Sequence, residues 1–176
     1  GNLWVGTADG LNQYKDKAFT TFTFEEGLSN DVVWCSLEDS KGTMWLGTNN
    51  GLNRVQRSGI QSYTMRNGLS NNTVRALCED SKGILWIGTY GGGLCEMRDG
   101  QIIRSSLNQP QLAFVYSIFE DPNHVLWIGT SDGLFSVVDG RLKRYGSSEG
   151  LAGNFVRFVG GDRAGGLWVG TTEGLS

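Results

Sequence analysis

Five tryptophans stand at a constant interval of 41 residues: Trp4, Trp45, Trp86, Trp127 and Trp168. Their surroundings keep the same phase. Leu3-Trp4-Val5-Gly6-Thr7 returns as Met44-Trp45-Leu46-Gly47-Thr48, Leu85-Trp86-Ile87-Gly88-Thr89, Leu126-Trp127-Ile128-Gly129-Thr130 and Leu167-Trp168-Val169-Gly170-Thr171. A valine (Val33, Val74, Val115, Val156) and an aspartate (Asp39, Asp80, Asp121, Asp162) hold fixed places between them. A chain of 176 residues built this way has to bury the apolar surface of each unit against the next copy of that unit.

Each period reads as four short strands. The first, such as Asp31 to Asp39, is almost continuously apolar, as suits a strand covered on both faces. Asp39-Ser40-Lys41-Gly42 is a turn signal, with an Asx acceptor and a glycine free to take positive φ. The Trp strand follows, then a Gly-bearing turn, a third strand, and a fourth near Gln61 to Met65. Asp99-Gly100 and Asp139-Gly140 are hairpin cues between the third and fourth strands of later copies. Helix-period apolar spacing is absent. The expected fold is all-β, a set of β-propeller blades made of four-stranded antiparallel meanders. The periodic Trp fills the wedge between blades, and the Gly after it permits close backbone approach.

Composition removes several function classes. A net charge of −3 without a basic cluster gives no footprint for nucleic acid. The longest nearly apolar stretch, Leu112 to Phe119, is far short of the ~20 residues of a membrane helix, so no membrane contact is expected from this segment. Cys35, Cys78 and Cys95 are odd in number and match no zinc or redox spacing, and they read as buried free thiols. A single histidine, His124, stands where other copies place the turn glycine, and excludes a multi-His metal centre within one chain. Neither a Gly-x-Ser-x-Gly nucleophile turn nor a phosphate loop leading into a helix is present. Gly91-Gly92-Gly93 leads to a further strand, and Glu38-Asp39 recurs as part of the turn frame. No catalytic residue, metal or cofactor is expected.

The unit Glu-Asp-Ser-Lys-Gly-x-x-Trp-x-Gly-Thr-x-x-Gly-Leu, preceded by Gly-Leu-Ser-Asn, resembles the two-component regulator propeller repeat, most fully over residues 26–55 and 67–94. That resemblance implies an extracytoplasmic (periplasmic) sensor portion of a bacterial inner-membrane receptor, commonly with seven-bladed propellers. The output is a hybrid histidine kinase, a diguanylate cyclase or another signalling domain, and many family members respond to oligosaccharides. The aspartate turns are similar to those of sialidase propellers, where the carboxylate braces the backbone. The third copy departs from the pattern with an extra residue in Tyr90-Gly91-Gly92-Gly93 and with Asn108-Gln109-Pro110-Gln111-Leu112 in place of Gly-Leu-Ser. The last copy has Gly161-Asp162 for Glu-Asp.

In a meander blade the second-to-third loops and the starts of the innermost strands open on one end, around the channel mouth, where propellers place ligands. The variable residues there are the candidate binding set. From the loops come Asn49, Asn50, Tyr90 and Asp132, and from the strand starts Asp31, Asn72 and Asn154. Just after the periodic valine stand Trp34, Arg75, Tyr116 and Arg157, able to stack on sugar rings and hydrogen-bond hydroxyls or carboxylates, or else to pack between blades.

The blades fall at 31–71, 72–112 and 113–153, with partial blades at 1–30 and 154–176. The chain reads as a mature or excised segment of something longer. It forms either a four-bladed ring, with Asn154 to Val159 paired to Leu3 to Thr7, or an arc of a larger propeller completed by further blades or a second copy. Three functions fit such a segment. It could be a ligand-binding sensor segment, a protein-interaction or assembly scaffold, or a lyase of the virginiamycin B type. The last is disfavoured by the lone histidine.

Overall fold

The computed structural model describes residues 3–56 and 59–176. Seventeen strands among them form five antiparallel sheets. The first contains β1 (Leu3–Thr7), β2 (Gly10–Lys15) and β3 (Ala18–Phe22). The second contains β4 (Val33–Glu38), β5 (Met44–Thr48), β6 (Gly51–Gln56) and β7 (Gly59–Tyr63). The third contains β8 (Val74–Glu79), β9 (Leu85–Thr89), β10 (Gly93–Arg98) and β11 (Gln101–Arg104). The fourth contains β12 (Val115–Glu120), β13 (Leu126–Thr130), β14 (Gly133–Val138) and β15 (Arg141–Tyr145). The last is the pair β16 (Val156–Gly161) and β17 (Leu167–Thr171). Strands pair in chain order within each sheet, so the fold is a row of propeller blades.

Strands β4, β8, β12 and β16 lie side by side from sheet to sheet, and form the inner edge of the arc. β1 pairs with β2 and β16 with β17, so among the described residues no ladder joins the two ends into a four-bladed ring.

The wedge between sheets explains the period. Trp4, Trp45, Trp86 and Trp127 each cluster with apolar residues of their own blade and of the following one. Burial follows position in the row: Trp45 is 5% and Trp86 8% exposed, whereas Trp168, with no further sheet stacked on it among the described residues, is 46% exposed. Trp4 and Trp127 are half-buried. Two residues on, the strand glycine faces the periodic valine of the next blade. A Cβ on Gly88 would lie 2.5 Å from Val115 Cγ1, and one on Gly129 2.8 Å from Val156 Cγ1. Sheets packed this closely exclude any side chain at that position.

The repeated aspartate is a brace. Asp39 Oδ1 accepts from the amides of Lys41 (3.0 Å) and Thr43 (2.7 Å), and its Oδ2 accepts from Trp45 Nε1 at 2.8 Å. Asp80, Asp121 and Asp162 repeat the three bonds, holding Trp86, Trp127 and Trp168 by their indole N–H at 2.9, 2.9 and 3.0 Å. One carboxylate therefore closes the turn and satisfies the donor that would otherwise be buried unpaired in the wedge. Turn chemistry elsewhere matches the residues: Asp99-Gly100 and Asp139-Gly140 have both φ values positive, and His124 takes φ 62° in place of glycine.

Two elements differ from the sequence reading. The fourth strand ends at Tyr63, not Met65, because Thr64 caps a short 3-10 turn, Met65–Asn67: its hydroxyl accepts from the Arg66 amide while Asn67 Oδ1 accepts from the Thr64 amide. Similar turns occupy Phe24–Glu26, Pro110–Leu112 and Ser147–Glu149. The innermost strands begin two residues later than expected, at Val33 and Val156, since Asp31 and Asn154 are engaged with those turns.

Candidate functional site

Trp34, Arg75, Tyr116 and Arg157 share one backbone peculiarity. In β4, β8, β12 and β16 the pairing register slips between Val33 and Cys35, Val74 and Ala76, Val115 and Ser117, and Val156 and Phe158. Each of the four residues is the extra residue of a β-bulge, left out of the ladder and turned off the regular in–out alternation of the strand. The valine before it is consumed by the glycine contact of the preceding blade. The bulge is what lets the neighbouring residue vary without disturbing the wedge.

The bulges gather their side chains into a continuous ridge. The Arg75 guanidinium carbon sits 3.6 Å from the Trp34 ring centroid on the preceding blade and 5.1 Å from the Tyr90 ring of its own blade. Tyr90 meets Tyr116 edge-on, 6.1 Å between centroids, and Phe114 at 4.8 Å. Tyr116 packs on Phe155 at 4.8 Å, and Arg157 lies 5.1 Å over Phe155. Trp34 remains 44% and Tyr90 42% exposed, so the ridge keeps ring faces open to solvent. Burial pushes the Tyr116 hydroxyl above its ordinary value, with Tyr90 adding to the effect, while Arg75 and Arg157 both pull it back.

The extra residue of the third copy builds the centre of this ridge. Gly91 and Gly93 both donate to the Ala113 carbonyl at the start of the next blade, at 2.8 and 3.1 Å, and Tyr90 bridges to Phe114. The lengthened loop thereby carries Tyr90 across the blade boundary. On the other side, Trp34 Nε1 donates to Asn49 Oδ1 at 2.7 Å, which fixes the plane of the indole.

The remaining candidates are engaged in framework bonds. Asn50 Oδ1 accepts from Asn72 Nδ2 at 3.2 Å, joining the loop of one blade to the strand start of the next. Asp31, Asn72 and Asn154 each accept a backbone N–H seven residues earlier, from Phe24, Met65 and Ser147, at 2.6, 2.8 and 2.9 Å. Asp132 pairs with Arg144 at 3.0 Å. The structure thus brings Trp34, Asn49, Arg75, Tyr90, Tyr116 and Arg157 into one row and gives Asp31, Asn50, Asn72, Asp132 and Asn154 partners of their own. Phe114 and Phe155 belong to the row and escaped the sequence reading. Their counterparts are Val32 and Thr73, so no periodic signal marks them.

Other chemistry is sparse. Among the described residues no group of three or more His, Cys, Asp or Glu is placed to hold a metal. The three cysteines are unpaired, with burial pushing the Cys35 thiol up to about 12 and that of Cys78 to about 11, which leaves both protonated at neutral pH. Among the described residues no helix is long and apolar enough to cross a membrane.

The chain is similar to known propellers along its whole length. The family model described as two component regulator propeller matches residues 27–50, 68–91 and 110–132. The structure superimposes with a TM-score of 0.84 and 27% identity on the extracellular domain assigned to a hybrid two component system, BT4673, from B. thetaiotaomicron, covering 99% of this chain and 25% of that one. The corresponding domain of BT3049 from the same organism gives 0.63 and 23%, covering 99% and 31%. Virginiamycin B lyase from Staphylococcus aureus gives 0.74 and 17%, covering 100% and 65%, a likeness of fold alone. The chain therefore spans about a quarter to a third of the length of these receptor domains. No curated protein sequence matches it.

Proposed function

We propose, from the premise that the chain carries two-component regulator propeller repeats, that it is a ligand-sensing segment of a bacterial signal-transduction receptor, exposed outside the cytoplasmic membrane in the periplasm. The output activity, a kinase or a similar enzyme, belongs to other parts of the receptor, and this segment performs recognition without catalysis. The ligand class that fits is an oligosaccharide.

The single observation that carries this reading is the ridge of Trp34, Arg75, Tyr90 and Tyr116. Half-exposed aromatic faces with a guanidinium locked between them offer what a sugar ring requires: a flat apolar surface for its C–H face and directional donors for its oxygens. A lyase reading finds no support in the same place. His124 lies in the turn between β12 and β13, beside Glu120 at 3.8 Å, at the opposite end of the blade from the ridge.

The test is a glycan-binding screen of the chain with Trp34→Ala and Tyr90→Ala alongside. Binding of one or more oligosaccharides, lost in both variants while their melting temperatures stay within a few degrees of the parent, is the expected outcome. Absence of glycan binding together with stable co-purification of a protein partner would replace the sensor reading with the scaffold one.

A further inference from the structure

A guanidinium removed from water keeps its full charge, and the cost of that removal is met either by a protein carboxylate or by something that binds. Arg144, exposed at the same end of the blades, has a carboxylate partner: its Nη2 lies 3.0 Å from Asp132 Oδ1 and its Nε donates to the Asp132 carbonyl at 2.6 Å. The half-buried Arg75 does not, and Arg157, exposed on the same ridge, has no such partner either. Among the described residues neither has a carboxylate oxygen within 4 Å. Arg75 Nε is buried with no hydrogen-bond acceptor among the described residues, an omission that is costly for a neutral donor and more so for a charged one.

The two cations also occur together. They stand at the two ends of one chain of rings: Arg75 lies over Trp34 and Tyr90, Tyr90 meets Tyr116, Tyr116 packs on Phe155, and Arg157 lies over Phe155. The aromatic rings immobilise Arg75 from two sides, so its planar fork is oriented before any ligand arrives. A neutral sugar would leave the half-buried Arg75 without an opposite charge. An anion on a ring lying against Trp34 or Tyr90 would supply that charge, with Arg157 adding to the attraction from the far end of the row.

We infer that the ligand taken by the ridge is an acidic sugar, with a carboxylate or sulfate received at Arg75 and its ring face set on Trp34 or Tyr90. This rests on the sensor reading above and narrows its substrate class.

The experiment is calorimetric titration of the chain with two matched pairs. One is a galacturonic acid trisaccharide and the same trisaccharide reduced at every carboxyl to galactose; the other is a 6-sulfated disaccharide and its desulfated form. At least one acidic member is expected to bind about tenfold or more tighter than its neutral counterpart, as one charge-assisted hydrogen bond supplies, with affinity falling as salt is raised. Arg75→Gln should erase most of that preference and the exposed Arg157→Gln a smaller part, the second without touching the buried part of the ridge. Arg75→Lys, which keeps the charge and loses the fork, should recover only part of it. Equal affinity for both members of each pair, or preference for the neutral ones, overturns the acidic assignment and leaves the sensor reading standing. No binding of any of the four sugars, with glycan binding in the broad screen also absent, removes both.

Discussion

Ser40 and Glu79, on adjacent blades, are joined twice: the Ser40 amide donates to one carboxylate oxygen at 2.6 Å and its hydroxyl to the other at 2.9 Å. Ser81 and Glu120 repeat the clasp across the next boundary at 2.7 and 2.9 Å. At the third boundary both members are replaced at once. Pro122 has neither N–H nor hydroxyl to give, and Gly161 has no carboxylate to receive them. There Ser117 links the inner strands instead, its Oγ accepting from the Val159 amide at 3.0 Å. The clasp explains why the glutamate of the Glu-Asp pair can be lost while the aspartate persists: the first serves the interface and the second the turn.

The clasp sits at the surface, so each one should contribute only about 0.5–1.5 kcal/mol. Ser40→Ala and Glu79→Ala are each expected to lower the unfolding free energy by that order. The double variant should lose scarcely more than either single one. Pro122→Ser combined with Gly161→Glu should give a favourable coupling that neither change shows alone. Urea unfolding of the four-member cycles checks this, and additive effects would contradict it.

Gly88 and Val115 form a complementary pair across the wedge. Gly88→Ala should destabilise by about 1–3 kcal/mol, because a Cβ there meets Val115 Cγ1 and the packed sheets have nowhere to move. Val115→Ala in the same chain should recover part of that loss. Failure of the second change to improve on the first would mean that the glycine is required for a reason other than this contact.

Among the described residues five hold left-handed backbone without being glycine, Asp16, Lys17, Asp99, His124 and Asp139, and of these Lys17 at φ 66° and His124 at φ 62° lack the short aspartate side chain that tolerates it. Replacement of either by glycine relieves a conformational cost of about 1–2 kcal/mol, offset by the greater freedom of the unfolded chain. Lys17→Gly and His124→Gly are therefore each expected to raise stability by up to about 1 kcal/mol, a rise in melting temperature of a few degrees at most. A fall would show that the side chains contribute more than their backbones cost.

Acid should unfold the chain through its turns. Burial opposes ionisation of Asp39 and Asp121, but the indole of Trp45 or Trp127 and the backbone donors outweigh it and hold both carboxyls below the usual range; the Gly166 amide and Trp168 do the same for Asp162. A depressed folded value means stability that is complete above the unfolded value of about 3.9 and is lost as pH falls through the folded ones. The melting temperature should be insensitive to these groups from pH 7 to about 5 and drop below about 4, less steeply in Asp39→Asn. A gain in stability on acidification would reverse the sign assigned to the brace.

Much of this was legible in the residues because the repeat reports packing directly. Trp86, Gly88 and Val115 recur for one reason, the fit of one sheet on the next, and periodicity exposes any residue fixed by that fit. The ridge was legible only in part. Trp34, Arg75, Tyr116 and Arg157 could be found as the variable position after the valine, yet the bulge that frees them leaves no mark in sequence. Phe114 and Phe155 vary with their neighbours and became visible only through their contacts. The roles of Asp31 and Asn154 were obscured for a different reason: the short 3-10 turns they hold have too few residues to show a helical period.

The architecture depends on indoles wedged between successive sheets while Trp34 stays outside on the ridge. The most direct measurement is the solvent isotope shift of each indole in 5-fluorotryptophan-labelled chain by fluorine NMR, assigned with single Trp→Phe variants. Trp45 and Trp86 are expected to show almost no change between H2O and D2O, and Trp34 and Trp168 a clear one, with Trp4 and Trp127 between. Equal shifts for all six, or a shift at Trp86 as large as that at Trp168, would contradict the packing from which everything else here is built.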